Sequence, residues 1–222
     1  MNGRLIVLEG LDGSGKATQA QLLFDALDRG GAHRIRKVTF PDYESESSAL
    51  VKMYLRGEFG SHAGDVNAYA ASCFYSVDRY ASYKKDWGAF YHEGGLVIAD
   101  RYTTSNAVHQ CAKLPRGEWD VYLDWLFEFE YHKIRIPEPD LVLYLDVDPQ
   151  VSQALMAQRY QGDESKKDIH EKDLDYLAHS RAAARYCADK LGWMVIPCCE
   201  NGQMRSREAI HREILSAVNG CL

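Results

Sequence analysis

The chain has 222 residues, of which 46% are hydrophobic and 26% are charged, and its formal net charge is −6. A chain of this size and composition suits one domain with one sizeable core, so we expect residues 1–222 to form a single domain. The negative balance disfavours a general nucleic-acid surface, and no apolar run approaches the length of a membrane span, so we expect no nucleic-acid or membrane partner.

The six cysteines indicate a reducing compartment. They show neither a C-x-x-C pair nor the spacing of a zinc site. Cys198 and Cys199 are adjacent at the end of a predicted strand, where neighbouring side chains point to opposite faces, so we expect packing thiols rather than a disulfide. The first predicted strand begins close to Met1, which leaves no room for a signal peptide. The expected location is therefore the cytoplasm.

A glycine-rich turn follows the first predicted strand, the apolar run at residues 5–8. It consists of Gly10, Leu11, Asp12, Gly13, Ser14, Gly15, Lys16, Ala17 and Thr18, and a helical pattern comes directly after it. Glycines let the backbone N–H groups turn inward, the helix N-terminus adds positive potential, and Lys16 supplies a mobile cation. A strand, a turn of this spacing and a helix predict a phosphate-binding loop (P-loop, residues 10–18) for ATP.

Four more apolar runs, at residues 35–40, 96–99, 141–145 and 193–196, predict strands, and helical patterns lie between them. This alternation is typical of right-handed β-α-β crossovers. We therefore predict an α/β protein with the three-layer P-loop NTPase fold, in which helices cover both faces of a five-stranded parallel sheet.

Two long helices are predicted in the middle of the chain. The first spans residues 67–93, with Asn67 as its cap and the glycine pair after Glu93 as its stop signal. The second covers about residues 118–133, and a Pro-containing stretch ends it.

A further helix is predicted to begin at an Asp-Pro pair and to reach Arg159, and a polar segment, residues 160–168, follows it. This segment contains a glycine and the lysines Lys166 and Lys167. It is either an ordinary solvated loop or a small mobile lid, about residues 159–171, that closes over the phosphates. The P-loop favours the lid, because a transferring phosphoryl group must be shielded from water.

Asp100 and Arg101 come directly after the strand predicted at residues 96–99. The carboxyl ends of parallel strands line the ligand crevice, and the P-loop lies at the carboxyl end of the first strand. Asp100 is therefore placed to order Mg²⁺ or its waters, and Arg101 to neutralise phosphate. The alternative is an Asp-Arg ion pair at a helix start.

Several motifs together are similar to those of one family. They are residues 9–18, Phe-Pro-Asp-Tyr at 40–43, Tyr-Ser-Val-Asp-Arg at 75–79, Asp-Arg-Tyr-Thr-Thr-Ser-Asn at 100–106 and Pro-Asp-Leu at 139–141. In order and spacing the chain resembles the thymidylate kinases, P-loop nucleoside monophosphate kinases, from about residue 5 to residue 214. The P-loop alone is shared by many nucleotide enzymes, and the combination is far more specific.

The resemblance implies roles for the matching positions. Residues 10–18 would bind the phosphates of ATP, and the catalytic residues would be Lys16, Asp100, Arg101 and Arg159. The acceptor nucleotide would contact Asp12, Phe40, Pro41, Tyr43, Tyr75, Arg79, Arg101, Ser105, Asn106, His109 and His170. A Mg²⁺ ion would lie near Asp100, Asp168 and Glu171.

The resemblance also implies how a thymine nucleotide would be recognised. Asp12 would reach the 3′-hydroxyl, Tyr75 would stack on thymine, Arg79 would donate to a thymine carbonyl oxygen, and Asn106 would contact the pyrimidine edge. Residues four apart on a helix project together, so Tyr75 and Arg79 can act on one base. Without the resemblance, these two residues would be interpreted as a core aromatic and a surface arginine.

Three departures from the family pattern bear on the mechanism. Ala17 lacks the hydroxyl that usually ligates Mg²⁺ after the lysine, so phosphates, waters and acids such as Asp100 must hold the ion. No arginine lies within residues 11–14, which implies that the lid supplies that charge. His109 and His170 stand where several relatives have tyrosines near the sugar. His109 puts in doubt how the 2′-position is discriminated, whereas the alternative for His170, between Asp168 and Glu171, is a capping-region residue.

The predicted activity is phosphorylation of dTMP to dTDP by Mg·ATP. One alternative is a kinase for another pyrimidine deoxynucleotide or a deoxynucleoside, for which Glu9 before the P-loop could be a base. Another is a nucleotide-binding switch protein that hydrolyses ATP slowly. The resemblance suggests a homodimer, with the helix around residues 69–83 as its contact.

Overall fold

A parallel sheet of five strands in the order β2-β3-β1-β4-β5 forms the centre of the protein. The structure, a computed structural model, describes residues 3–159, 163, 170 and 174–222. The strands are β1 Arg4–Glu9, β2 Ile35–Thr39, β3 Leu96–Asp100, β4 Leu141–Asp146 and β5 Met194–Pro197. The predicted five-stranded parallel sheet is confirmed. β3 is one residue longer than predicted because Asp100 pairs with Leu8 and Thr39.

Helices cover both faces of this sheet, as predicted. They are α1 Lys16–Gly30, α2 Ala49–Leu55, α3 Ala68–Ser82, α4 Gly88–His92, α5 Thr103–Cys111, α6 Trp119–Phe127, α7 Pro149–Arg159, α8 Leu174–Leu191 and α9 Arg207–Cys221. Successive side chains of a strand point to opposite faces. Leu5 and Val7 accordingly pack in the core formed with α5, α6 and α8, whereas Ile6 and Leu8 pack in the core formed with α1 and α9.

The long helix predicted for residues 67–93 consists of α3, a π-helical segment Tyr83–Trp87, and α4. The Asn67 side chain caps it by accepting a hydrogen bond from the Ala70 N–H over 2.9 Å, and Gly94, with φ +88°, follows its end. The second predicted long helix likewise consists of α6 and a π-helical segment, Glu128–Lys133. Extra residues in π-helical turns change which side chains face the core.

A small antiparallel hairpin, β6 Cys199–Glu200 and β7 Gln203–Met204, was not predicted. It packs beside the P-loop: a Cβ built on Gly15 would lie 4.0 Å from the Met204 methyl carbon. Cys198 is buried, Cys199 is half-buried, and both are free thiols.

Within residues 3–159 and 174–222, no helix combines the length and apolar character that crossing a bilayer requires.

Candidate active site

The predicted P-loop connects the end of β1 to the start of α1. Gly13 and Gly15 have φ values of +77° and +83°, which favour glycine. A Cβ on Gly13 would lie 2.8 Å from the Ser152 carbonyl oxygen, because α7 passes close to the loop. The Ser152 hydroxyl also donates to the Asp12 carbonyl oxygen over 2.5 Å. The loop is therefore held in place by α7 as well as by the strand and helix that it joins.

Lys16 is buried at the start of α1 and folds back over the P-loop. Its Nζ donates to the Leu11 carbonyl oxygen over 2.8 Å and lies 3.5 Å from the Ser14 hydroxyl. Burial, together with the nearby charge of Arg101, lowers its pKa to about 8. A phosphate beside this ammonium would favour its charged form.

Arg101 follows β3 and contacts the P-loop, because β3 is the neighbour of β1. Its Nη2 donates to Asp12 Oδ1 over 2.5 Å, and its Nη1 lies 3.5 Å from Glu9 Oε1. Burial alone would lower the pKa of Arg101, but these carboxylates outweigh it and raise the pKa above its ordinary value. Arg101 therefore pairs with acids of the first strand and turn, rather than with Asp100 as the alternative interpretation assumed.

The Asp12 carboxylate remains ionised beside these cations. Burial acts to raise its pKa, but the charges of Arg101 and Lys16 are stronger and hold it well below the usual range. An ionised carboxylate accepts hydrogen bonds only, which suits a hydroxyl donor on a ligand.

Glu9 is fully buried beneath the P-loop. Its carboxylate accepts hydrogen bonds from the Gly10 N–H over 2.9 Å and from the hydroxyls of Thr104 and Ser105 over 2.8 Å and 2.7 Å. These bonds tie α5 to the end of β1. The carboxylate has a positioning role, which leaves little freedom for it to serve as a base.

A pocket of about 520 Å³, counting its open mouth, opens beside the P-loop, and this volume is in the range of small-molecule sites. All the predicted acceptor residues line it: Asp12, Phe40, Pro41, Tyr43, Tyr75, Arg79, Arg101, Ser105, Asn106, His109 and His170. Leu55, Tyr102 and Gln110, for which no role was predicted, complete the lining.

Arg79 is buried at one end of the pocket in an ion pair with Glu130. Its Nε donates to Glu130 Oε2 over 2.8 Å, and its Nη2 donates to Glu130 Oε1. Burial would lower the pKa of Arg79, but Glu130 outweighs burial and raises it. The interpretation as a surface arginine is wrong: α3 carries Arg79 on its buried face.

Sequence reasoning missed Glu130, although a signal was present. The buried residues of α6 are Trp119, Tyr122, Leu123 and Leu126, and position 130 continues that spacing by one turn. A carboxylate on an apolar face, with an arginine on the buried face of another helix, predicts a buried ion pair.

Asp78 is a second residue that had no predicted role. It is fully buried and accepts hydrogen bonds from the Asp42 N–H over 2.8 Å and from the Ser47 hydroxyl over 2.6 Å. Burial raises its pKa. Asp78 thereby anchors the segment after β2, which brings Phe40, Pro41 and Tyr43 to the pocket.

His109 and His170 stack in the pocket wall, with ring centroids 5.9 Å apart and planes 12° apart. His170 Nε2 lies 2.8 Å from the Tyr54 hydroxyl, and the Tyr176 hydroxyl donates to the His109 carbonyl oxygen over 2.9 Å. Burial lowers the pKa of both imidazoles, that of His170 to about 3. Both are therefore neutral at neutral pH and form a stacked aromatic wall.

The remaining predicted site residues belong to the lid and to the end of α7. Asp168 and Glu171, the lid segment 160–168 and its lysines Lys166 and Lys167 lie outside the described residues, apart from Asp163. Arg159 ends α7, but its side chain also lies outside them. Among the residues that are described, His, Cys, Asp and Glu form no group of three that could hold a metal ion.

Comparison with known proteins identifies the family. The thymidylate kinase family model matches residues 8–214. A probable thymidylate kinase of Staphylothermus marinus is 30% identical over 195 residues, which cover 88% of this chain and 86% of the relative. The thymidylate kinase of Mycobacterium tuberculosis is 29% identical over 203 residues, covering 86% and 90%.

The structure of thymidylate kinase from Candida albicans superposes with a TM-score of 0.71 at 20% identity, covering 99% of this chain and 92% of that one. This similarity supports the fold, and the family match over residues 8–214 supports the family. The chain therefore belongs to the thymidylate kinase family, the nucleoside monophosphate kinases that convert dTMP to dTDP.

Proposed function

We propose that this chain transfers the γ-phosphoryl group of Mg·ATP to the 5′-phosphate of dTMP, with ATP on the P-loop and dTMP in the adjoining pocket. The observation that carries this proposal is the contact between the P-loop and the pocket wall. Arg101 Nη2 in the pocket wall donates to Asp12 Oδ1 in the P-loop over 2.5 Å. A donor and an acceptor phosphate bound on either side of this pair would be neighbours.

On the donor side, the P-loop N–H groups and Lys16 would bind the ATP phosphates. Asp100, at the carboxyl end of β3, offers the oxygen ligands that Mg²⁺ prefers, and its charge acts on Lys16. One carboxylate is enough where phosphates and waters complete the coordination, so this donor set fits the ion even though Ala17 has no hydroxyl. When bound, Mg²⁺ neutralises phosphate charge.

On the acceptor side, Tyr75 would stack on thymine while Arg79 and Asn106 meet the polar edge of the base. The ionised Asp12 would accept a hydrogen bond from the 3′-hydroxyl. Arg101 would hold the 5′-phosphate and neutralise the charge that develops between the two phosphates.

This reaction needs no general base, because the acceptor phosphate is already an anionic nucleophile at neutral pH. A deoxynucleoside acceptor would need a carboxylate free to take a hydroxyl proton. Glu9, the candidate for that role, is committed to Gly10, Thr104 and Ser105. The geometry therefore favours a monophosphate as the acceptor.

The proposal extends to the organisation of the enzyme. The chain acts as a single domain whose lid, about residues 159–171, contributes Arg159, Asp168 and Glu171. Two copies pair through α3, on which Val77 and Tyr80 are 53% and 42% exposed. The enzyme works in the cytoplasm, without a nucleic-acid or membrane partner.

An acceptor-dependent assay tests the proposed reaction. ADP formation from Mg·ATP is measured with dTMP, dUMP, dCMP, dGMP and thymidine as separate acceptors. We expect rapid ADP formation with dTMP, and little with thymidine or without an acceptor. A clear preference for thymidine or dCMP would contradict the assignment, and ADP formation that ignores the acceptor would indicate a hydrolytic switch.

A further inference from the structure

The Glu130 carboxylate joins three structural elements at the Arg79 end of the pocket. It is 0% exposed and lies on the π-helical segment that continues α6. Its Oε1 accepts hydrogen bonds from the Ser76 hydroxyl over 2.7 Å, from Asn106 Nδ2 over 3.2 Å and from Arg79 Nη2. Its Oε2 accepts from Arg79 Nε over 2.8 Å and from the Thr103 hydroxyl over 2.7 Å.

The ion pair fixes the orientation of the Arg79 guanidinium. Glu130 takes the edge formed by Nε and Nη2, which is a bidentate arrangement. Nη1 remains on the other side, where its contact with the Tyr102 carbonyl oxygen is long, at 3.4 Å. Arg79 thus lines the pocket as a donor whose direction is set by Glu130.

The same carboxylate fixes the orientation of the Asn106 amide. Asn106 Nδ2 is 3.2 Å from Glu130 Oε1 and 3.3 Å from the Ser72 carbonyl oxygen, both of which only accept hydrogen bonds. The amide nitrogen must face these acceptors, so Oδ1 faces away from them and is left as an acceptor.

Together, these two side chains offer a donor and an acceptor at one end of the pocket. Thymine presents a carbonyl oxygen at position 4 and an N–H at position 3, which match this pair. Cytosine presents an amino group and a ring-nitrogen acceptor at the same positions, which is the opposite pattern. A site with fixed polar groups rejects the mismatched base because those groups would lose their partners.

We propose that Glu130 is the positioning residue that sets base selection in the acceptor pocket, by fixing Arg79 as a donor and Asn106 as an acceptor toward a 4-oxopyrimidine. This inference rests on the proposed function for the identity of the acceptor. The stability of the folded protein does not by itself explain the buried Arg79–Glu130 pair, because a buried ion pair is often no more stabilising than well-packed apolar residues.

The test compares Glu130→Gln with Glu128→Gln, a matched control. Glu128 lies on the same π-helical segment but is exposed and pairs with Lys133 over 2.8 Å. Glutamine at position 130 keeps the shape but loses the charge, and its amide can donate, so both Arg79 and Asn106 are released. Steady-state kinetics with dTMP and dCMP, and equilibrium binding of both nucleotides, provide the readouts.

For Glu130→Gln, we expect the KM for dTMP to rise at least about tenfold while the KM for ATP stays the same, since hydrogen bonds to charged groups are lost only at the acceptor. The preference for dTMP over dCMP in kcat/KM should fall by a similar factor. Glu128→Gln should match the wild type in every readout. An unchanged dTMP:dCMP preference in folded Glu130→Gln protein would overturn the inference.

Thr103→Val keeps the test decisive if Glu130→Gln does not fold. It removes one donor to Glu130 and leaves the ion pair intact, so we expect a smaller fall in the dTMP:dCMP preference, and no change would count against the inference. A wild-type enzyme that ignores dTMP would overturn the proposed function instead. In that case the binding ratio of the two nucleotides still tests the role of Glu130.

Discussion

The Arg101 guanidinium and the Asp12 carboxylate form an ion pair, with 2.5 Å between Nη2 and Oδ1. The pair joins the end of β3 to the P-loop. It places Arg101, which is predicted to bind phosphate, next to Asp12, which is predicted to bind the 3′-hydroxyl of the sugar. It keeps Asp12 ionised, and it accompanies a left-handed backbone at Arg101, with φ +68°. A non-glycine residue in this conformation stores strain, which is typical of functional positions.

The first prediction concerns the cations beside the phosphates. Arg101→Ala and Lys16→Ala should each lower kcat by on the order of 10²–10³-fold, because each removes positive charge from a transition state that depends on it. Steady-state assays with dTMP and ATP measure the effect. Arg34→Ala, at an exposed arginine paired with Glu93, is the control and should retain full activity. Wild-type turnover in folded Arg101→Ala protein would reduce Arg101 to a structural role.

The sheet and the P-loop could be predicted because their signals are local. Apolar runs mark buried strands, and the glycines and Lys16 mark the turn within a few residues. The spacing of α6 could have marked Glu130 as buried, but neither the partner of Glu130 nor that of Asp78 could be assigned in the same way, because Arg79 and Asp42 are distant in the chain. Such pairings depend on how helices pack, which a local pattern does not contain.

The second prediction concerns Ala17. Ala17→Ser restores a hydroxyl at the position where P-loops usually ligate Mg²⁺, on an exposed part of the loop. We expect the fold to remain intact and the Mg²⁺ concentration for half-maximal rate to fall. Ala32→Ser, at an exposed position after α1, adds the same hydroxyl away from the P-loop and should leave the Mg²⁺ requirement unchanged. An unchanged or higher Mg²⁺ requirement would show that the ion is already fully held elsewhere.

The third prediction concerns the anchor of the segment after β2. Asp78→Ala removes the acceptor of the Asp42 N–H and of the Ser47 hydroxyl. The KM for dTMP should rise roughly 3- to 10-fold, because Phe40, Pro41 and Tyr43 lose their support, while the KM for ATP changes little. Asp86→Ala, at an exposed carboxylate paired with Arg36, is the matched control. Equal effects on the two KM values would show that the anchor is not specific to the acceptor pocket.

The fourth prediction concerns acid stability. The pKa of His170 falls to about 3 in the folded protein, because of burial and the nearby charge of Lys113, from an ordinary value of 6.5. Between these values the unfolded chain takes up a proton and the folded one does not, so stability is lost as pH falls from 6.5 towards 3. The contribution of His170 between pH 7.5 and 5 is at most about 2 kcal/mol.

Replacement of His170 tests this dependence. Chemical denaturation at several pH values should show that His170→Gln loses less unfolding free energy than the wild type between pH 7.5 and 5. His33→Gln, at an exposed position, should follow the wild type. Asp12 also contributes to the free energy of unfolding, but its contribution is lost only as the pH falls below its unfolded pKa of 3.8. Measurements between pH 7.5 and 5 therefore do not include the effect of Asp12. Parallel curves for wild type and His170→Gln would mean that the imidazole titrates normally.

The last prediction concerns the lid. The P-loop contains no arginine, so charge that builds up between the two phosphates must be met from elsewhere. α7 packs against the P-loop at Ser152 and Met156, and position 159 follows Met156 by three residues along the helix. α7 therefore lies beside the P-loop, and Arg159 is the last residue of this helix.

Arg159→Ala and the double variant Lys166→Ala, Lys167→Ala should each lower kcat more than they raise the KM for dTMP, because a lid cation acts on the transition state rather than on acceptor binding. Amide hydrogen exchange over residues 160–170 should slow when a bisubstrate analogue binds. Lys84→Ala, at an exposed lysine on the π-helical segment after α3, provides the control. If both lid variants turn over normally and the exchange rate does not change, residues 160–168 are an ordinary surface loop, and the missing charge must come from Arg101 and Lys16 alone.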